Sequence, residues 1–577
     1  MSDEVKRSLD EENIKKGKSF LREAVILTVA NFAVKIIGVI FKIPLTNELG
    51  DNIGVFTAAY SIYAMLFMLS TSGLPVAVSK LVAASNEKGR GAEAKRITLL
   101  ATIVFGILGL LFTVALIIFA PNIAEFTNHT ESALAMRVIA PSLFFICVCS
   151  SVRGHFQGLH NMNPTAISQF IEAFFKFAVG LGAVIYAGKL GASVEVRAAC
   201  AISGVTVGSV LGTIFVILYG KFSKKSRVDT SNKECASDRE LLKLILVVAL
   251  PVTLTAATLY FSQFLDTVVI VKFLVNSGEN VENAQKLFSA YTGLSVPIYD
   301  LFPSTLIYPI GTSILPAVAG ALAVKKMRRA GQLTEQAIRV SALIAVPCGV
   351  FLLVGGKSCI SLIYGIDNWS DILTMADGSR VSLIDSASVS LSILAVAMFF
   401  ISTVSICNAL LNAYGKAHLP LIAVSLGIVV LIVSEIGLLL SPMGIYGAPM
   451  SSLICYAVVL IIDFWFMKKY CGVRLRFFSL FGKPIICGGI TAAATYCVYR
   501  GCVWFWQNFV GGSVYLRSAS FAILMVTGVS MVSIYASTVL LLRAIKEDEV
   551  RLLPMGNRIA SLLLKLNLIK SSDMDEE

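Results

Sequence analysis

Apolar residues fill this chain in blocks of about 20, divided by short polar stretches, as expected of a chain that crosses a bilayer many times. The first six blocks fall near 20–43, 53–79, 97–120, 131–152, 163–187 and 198–220. Eight more follow near 241–274, 287–323, 337–354, 386–412, 419–440, 445–467, 480–506 and 518–542. The pattern predicts about fourteen transmembrane helices and no soluble domain. Two polar interruptions are longer: the basic stretch 221–240, and 355–385, which holds Asp367, Asp371, Asp377 and Asp385. From Glu549 to Lys570 apolar residues recur at helical spacing with basic ones between them. That segment is too interrupted to span and is expected to lie along the cytoplasmic face.

Composition agrees. Of 577 residues 56% are hydrophobic and only 15% charged, with a mean hydropathy of +0.79. So few charges cannot coat several soluble domains, so lipid is expected to cover the outside. The net charge of +12 is placed by topology. With the N-terminus inside, alternation puts Lys15, Lys16 and Lys18, the 88–96 cluster, the 221–227 cluster and Lys325 to Arg329 on the cytoplasmic side. Lys468 to Arg476 and Arg543 to Arg551 fall there too. This bias favours an even number of spans with both termini cytoplasmic, and it removes the reason to expect nucleic acid as a partner. The first block is too long, and lacks the cleavage pattern, for a removable signal peptide. The twelve cysteines form no C-x-x-C pair and the four histidines are scattered, so neither a metal nor a cofactor is expected.

Two segments repeat across the basic stretch. LSTSGLPVAVSKL (69–81) parallels IGTSILPAVAGAL (310–322), and GLHNMNPTAISQFIEAF (158–174) parallels AYGKAHLPLIAVSLGIV (413–429). Such duplication is typical of transporters whose substrate site lies between repeats. Pro297, Pro303, Pro309 and Pro316 share the eighth block. Each removes a backbone hydrogen bond, so this span should be irregular.

Ionisable residues at bilayer depth are the candidates for function. Lys35 lies roughly 22 Å into the first span at 1.5 Å per residue, too deep to reach the cytoplasm. Lys42, one to two turns on, is within snorkelling reach of the outer interface. Glu172 and Lys176 are four apart in the fifth span and are expected to pair along one helix face. Asp266 and Lys272 in the seventh span, Asp300 among the prolines of the eighth and Glu435 in the eleventh complete the set. Asp266 and Glu435 are candidate proton or cation sites, and Asp300 a cavity candidate. Arg153 is expected to be a loop cation following the fourth span, able to meet an anionic headgroup. No P-loop, no H-E-x-x-H and no nucleophile constellation occurs, so no catalytic residue and no enzyme activity are expected.

SFLREAVILTVANFAVKIIGVIFKIPLTNELG (19–50), YSIYAMLFMLSTSGLPVAVSKLVA (60–83), MNPTAISQFIEAFFKFAVGL (162–181) and the ending RLLPMGNRIASLLLK (551–565) resemble the polysaccharide-biosynthesis flippases. The resemblance is to the stage V sporulation protein B and MurJ-type branch, and Ser70 to Lys80 is its most specific string. It implies an all-α integral membrane fold of the multidrug/oligosaccharidyl-lipid/polysaccharide superfamily. Two pseudo-symmetric six-helix lobes would carry a C-terminal helix pair. The corresponding division is a cytoplasmic tail 1–19, N-lobe 20–220, linker 221–240, C-lobe 241–467, helix pair 468–545 and cytoplasmic tail 546–577. The resemblance also implies alternating-access movement of an undecaprenyl-diphosphate-linked saccharide from the inner to the outer leaflet of a bacterial plasma membrane. Partners would be that lipid-linked oligosaccharide, the bilayer and, as coupling ion, a monovalent cation or proton. The candidate cavity residues are Lys35, Lys42, Asp300 and Arg153, and the candidate coupling or gating residues Glu172, Lys176, Asp266 and Glu435. The alternative within the superfamily is an ion-coupled multidrug exporter, which needs acidic cavity residues for a cationic drug.

Overall fold

Long apolar runs without internal breakers close their backbone hydrogen bonds within one segment, and in this chain they do so as helices. The computed structural model describes residues 30, 33–38, 40–159, 161–222, 235–323, 325–365, 369, 371–376, 378–416, 418–473, 475, 477–511, 513–542, 544–545 and 547. The expected N-terminal tail, the start of the first span, most of the basic linker and the C-terminal amphipathic segment lie outside these residues.

Helix α1 takes in residues 33–38 and 40–49. It is followed by α2 (Ile53–Thr71), α3 (Leu74–Glu87), α4 (Gly91–Phe126), α5 (Ala133–Ile139), α6 (Pro141–Gly158), α7 (Asn163–Lys189) and α8 (Val194–Phe222). Then come α9 (Asp238–Asn276), α10 (Val281–Ala290), α11 (Val296–Phe302), α12 (Tyr308–Ala323) and α13 (Met327–Tyr364). A two-stranded antiparallel hairpin, β1 (Ile372–Thr374) and β2 (Arg380–Ser382), precedes α14 (Leu383–Ala413), α15 (His418–Leu439), α16 (Gly447–Tyr470), α17 (Phe477–Phe505) and α18 (Arg517–Leu541). Among the described residues ten helical stretches are long and apolar enough to cross a bilayer, and the first of them, Ala33–Glu87, takes in two of the expected blocks. Helices also cover the described parts of the blocks near 241–274, 287–323 and 480–506. Along α4, Leu111, Ile118 and Phe119 are each more than half exposed. A surface this apolar suits lipid rather than water.

The proline-rich eighth block is irregular, as its sequence predicts. π-helical turns at Tyr291–Ser295 and Pro303–Ile307 separate α10, α11 and α12. Pro297 and Pro303 have no N–H for the carbonyl four residues back, and the wider turns take up the mismatch.

The chain divides into two compact units, residues 1–268 and 269–577. In the first, close approach of glycine ridges sets the packing. A Cβ on Gly154 or Gly158 of α6 would lie 2.9 Å from Val78 Cβ or 2.7 Å from the Ser79 carbonyl oxygen, so α3 with its Leu74–Lys80 string sits directly on α6. On α8, Gly204, Gly208 and Gly212 form a ridge of four-residue period. A Cβ there would meet Gly180 N at 2.5 Å, the Glu172 carbonyl oxygen at 2.6 Å and Glu172 Cγ at 2.9 Å, respectively. This ridge holds α7 close enough to fix Glu172 and Lys176.

In the second unit α13 and α14 pack through Gly349, whose Cβ would lie 2.7 Å from the Ala395 carbonyl oxygen. Residues of α12 to α17 share one apolar core that includes Ile338, Cys407, Leu410, Leu460, Met467 and Phe481. The last pair, α17 and α18, packs on α13, where Gly355 faces Leu524 and Gly528 faces Phe351. The hairpin is pinned to the start of α10: Asn283 donates to the Thr374 carbonyl at 3.0 Å and the Ala376 N–H donates to Glu279 at 3.0 Å.

Candidate anion-receiving site

Spacing on α2 builds the site's wall. Phe56, Tyr60, Tyr63 and Phe67 recur at intervals of four, three and four, which lines them along one helix face. Their ring centroids follow one another at 5.8, 5.7 and 5.7 Å. Phe41 of α1 joins the column 6.3 Å from Phe56.

Two ammonium groups rest on this column. Lys176 Nζ of α7 lies 4.6 Å from the Tyr60 ring centre, 5.3 Å from that of Phe41 and 3.4 Å from the Tyr60 hydroxyl, to which it donates. Lys42 Nζ of α1 lies 5.6 Å from the Phe56 ring centre. Ring faces attract a cation by about 0.5–2 kcal/mol each, well short of replacing its hydration. Among the described residues neither ammonium has a carboxylate partner. Lys42, which its sequence position puts within snorkelling reach of the outer interface, rests here over the buried Phe56 ring.

The neighbouring acid is occupied elsewhere. Glu172 does not pair with Lys176 one turn along α7. Its Oε1 accepts from Arg153 Nη2 at 2.8 Å, with the two side chains 20% and 9% exposed. Arg153 Nε also donates to Ser168 Oγ at 2.8 Å. The tertiary partner outcompetes the local one because a guanidinium fork offers directed, charge-assisted bonds in a space where both charges are desolvated. Arg153 is thus not a loop cation: α6 continues through Gly158 without a breaker, and Arg153 is buried. The result is a neutral Arg153–Glu172 pair beside two cations that have no carboxylate counterion among the described residues.

The remaining predicted residues are distributed as follows. Lys35, two turns before Lys42 on α1, is exposed. Asp266 of α9 is partly buried with one carboxylate oxygen lacking a hydrogen-bond partner among the described residues. The adjacent Thr267 donates to Ser61 Oγ of α2 at 3.1 Å. Asp300 and Glu435 belong to the second unit, Asp300 exposed and Glu435 1% exposed. The aromatic column and the α8 glycine ridge were not predicted, although the spacings 56-60-63-67 and 204-208-212 carry both.

A model of the family described as "Polysaccharide biosynthesis protein" matches residues 20–321. The chain belongs to that family. Among its relatives are the stage V sporulation protein B of Bacillus subtilis, 24% identical over 551 residues that make up 94% of this chain and 99% of that protein. The lipid II flippase MurJ of the same organism is 22% identical over 475 residues, 80% of this chain and 84% of that one. Similar solved structures include the lipid II flippase MurJ in an inward closed conformation, with a TM-score of 0.61 and 14% identity over 89% of this chain and 99% of that one. An inward-facing multidrug-resistance transporter of the MOP superfamily gives a TM-score of 0.62 and 16% identity over 78% of this chain and 98% of that one. The all-helical membrane fold expected from the family resemblance is therefore the fold found.

Proposed function

We propose that this chain is a flippase that moves an undecaprenyl-diphosphate-linked saccharide from the inner to the outer leaflet of a bacterial plasma membrane, with both termini cytoplasmic. The observation that carries the proposal is the pair of ammonium groups, Lys42 and Lys176, on one aromatic column without carboxylate partners among the described residues. A diphosphate brings at least two negative charges, whose unshielded passage through hydrocarbon is prohibitive. Two preplaced cations match that charge, and Lys35 on the same helix as Lys42 supplies a third along α1. The polyprenyl tail needs no such site, because it remains in lipid. Transport proceeds without covalent chemistry, driven by membrane potential or by a coupled cation or proton.

The names of two relatives, a lipid II flippase and a sporulation protein, fit a cell-envelope or spore glycan precursor as cargo. The multidrug-exporter alternative shares the fold, yet a cationic drug would be repelled by Lys42 and Lys176. The test is the leaflet accessibility of lipid II in cells depleted of this protein and then resupplied with it. Restored outward lipid II supports the proposal; unchanged lipid II with restored drug efflux transfers the assignment to the exporter. In the same cells Lys35→Ala should abolish complementation and Lys35→Arg retain part of it, whereas full complementation by Lys35→Ala removes Lys35 from the route.

A further inference from the structure

One more buried acid stands outside everything described so far. Asp463 lies on α16 in the second unit, five residues before Lys468, so about 8 Å inward from it along the helix axis. Its residue exposure is 0%, and neither carboxylate oxygen has a hydrogen-bond partner among the described residues. Its own helix contributes Leu460, Phe466 and Met467 to the apolar core. An ionised carboxylate in such a place is strongly disfavoured, whereas the neutral acid costs far less.

Among the described residues the surrounding groups do not offer a counterion; Lys416, in the turn between α14 and α15, acts on Cys471 past the end of α16. On α14 the titratable neighbour is the buried thiol of Cys407, an acid itself, while Asp385 stands at that helix's far end. On α15, His418 is exposed at the first residue and Glu435 lies near the opposite end of the helix. On α17, whose Phe481 stacks on Phe464, the charged Lys483 is exposed. On α16 itself Lys468 and Lys469 are exposed, and Tyr456 lies two turns away. Among the described residues no group of three or more histidines, cysteines or acids could hold a metal ion. A single carboxyl with no further oxygen or nitrogen ligand among the described residues suits a proton better than a metal cation.

We infer that Asp463 is a proton-binding site of the second unit. The carboxylate takes one proton from water to form the neutral acid in the conformation described here. It returns that proton only when water reaches the seam between α14 and α16. Proton binding then biases the second unit between a sealed and an opened state, going beyond the flippase proposal by naming a coupling group.

Infrared spectra of the purified full chain at neutral pH test the site without any substrate. The wild type should show a protonated-carboxyl band that is lost in Asp463→Asn. Hydrogen exchange provides the second reading: in alkaline buffer α14 and α16 of the wild type should exchange faster relative to the rest of the second unit, and those of Asp463→Asn should not. Absence of the band's loss, or the same alkaline acceleration in both proteins, overturns the inference. Because neither measurement involves a lipid-linked saccharide, failure here leaves the flippase proposal standing, and failure of flipping leaves this one standing.

Discussion

Removing one member of the Arg153–Glu172 pair should destabilise the first unit far more than removing both. The two groups meet at 2.8 Å with side chains 9% and 20% exposed, so most of their hydration is gone. Truncating one partner of such a pair leaves an uncompensated buried charge and costs about 3–5 kcal/mol. Glu172→Ala strands the guanidinium, although Ser168 still accepts one of its bonds; Arg153→Ala leaves the carboxylate with the long contact from Cys149 Sγ at 3.9 Å in place of its guanidinium. Replacing both with methionine removes the charges together and fills much of the volume, which should recover most of the loss. Thermal melting of the detergent-solubilised protein reads these differences. At about 2–4 °C per kcal/mol the single variants should melt roughly 6–20 °C below the wild type, with the double variant between them and the wild type. Melting points of both single variants that coincide with the wild type would show that the pair is not desolvated, and the account of why Lys176 lacks a counterion would fall with it.

Three other outcomes follow from the geometry. Gly208→Leu should push α8 from α7, since even a Cβ would lie 2.6 Å from the Glu172 carbonyl oxygen; the expected loss is about 1–3 kcal/mol, read by melting, together with loss of complementation. His129, in the turn between α4 and α5, is buried, and burial holds its imidazole down at about 4. A free imidazole titrates near 6.5, so below that pH the unfolded chain takes up a proton that the folded one refuses. Stability should therefore fall by about 3 kcal/mol as pH drops from about 6.5 to about 4, and His129→Gln should flatten that part of the melting-versus-pH profile. Arg96 forks onto Asp238 at 2.8 Å from Nε and holds that carboxyl below the usual range. Both side chains are nearly half exposed, so Arg96→Ala should leave the melting point unchanged.

The fold was largely legible because bilayer length imposes itself on the sequence: apolar blocks of about 20 residues are hard to mistake. Pro297 and Pro303 likewise announced the irregular eighth span. The site was legible only in part. Lys42, Glu172 and Lys176 stood out as charges in apolar runs, but which charge meets which depends on contacts between helices distant in sequence. Glu172 and Lys176 satisfy the local four-residue rule, yet Arg153, 19 residues from Glu172, takes the carboxylate. Arg153 itself was misplaced because a polar run after an apolar one reads like a loop, whereas a buried ion pair lets the helix continue. Asp463 drew no notice because it stands near Lys468 and Lys469 at a span end, where charges are ordinary, and its complete burial comes from packing against other helices.

Binding of undecaprenyl diphosphate to the purified protein probes the role of the two lysines most directly. Each charge-assisted contact to the diphosphate contributes about 1.5–3 kcal/mol, so Lys42→Ala combined with Lys176→Ala should weaken binding about a hundredfold or more. Wild-type affinity in that double variant, with its fold intact by melting, would contradict the assignment of these cations to the diphosphate.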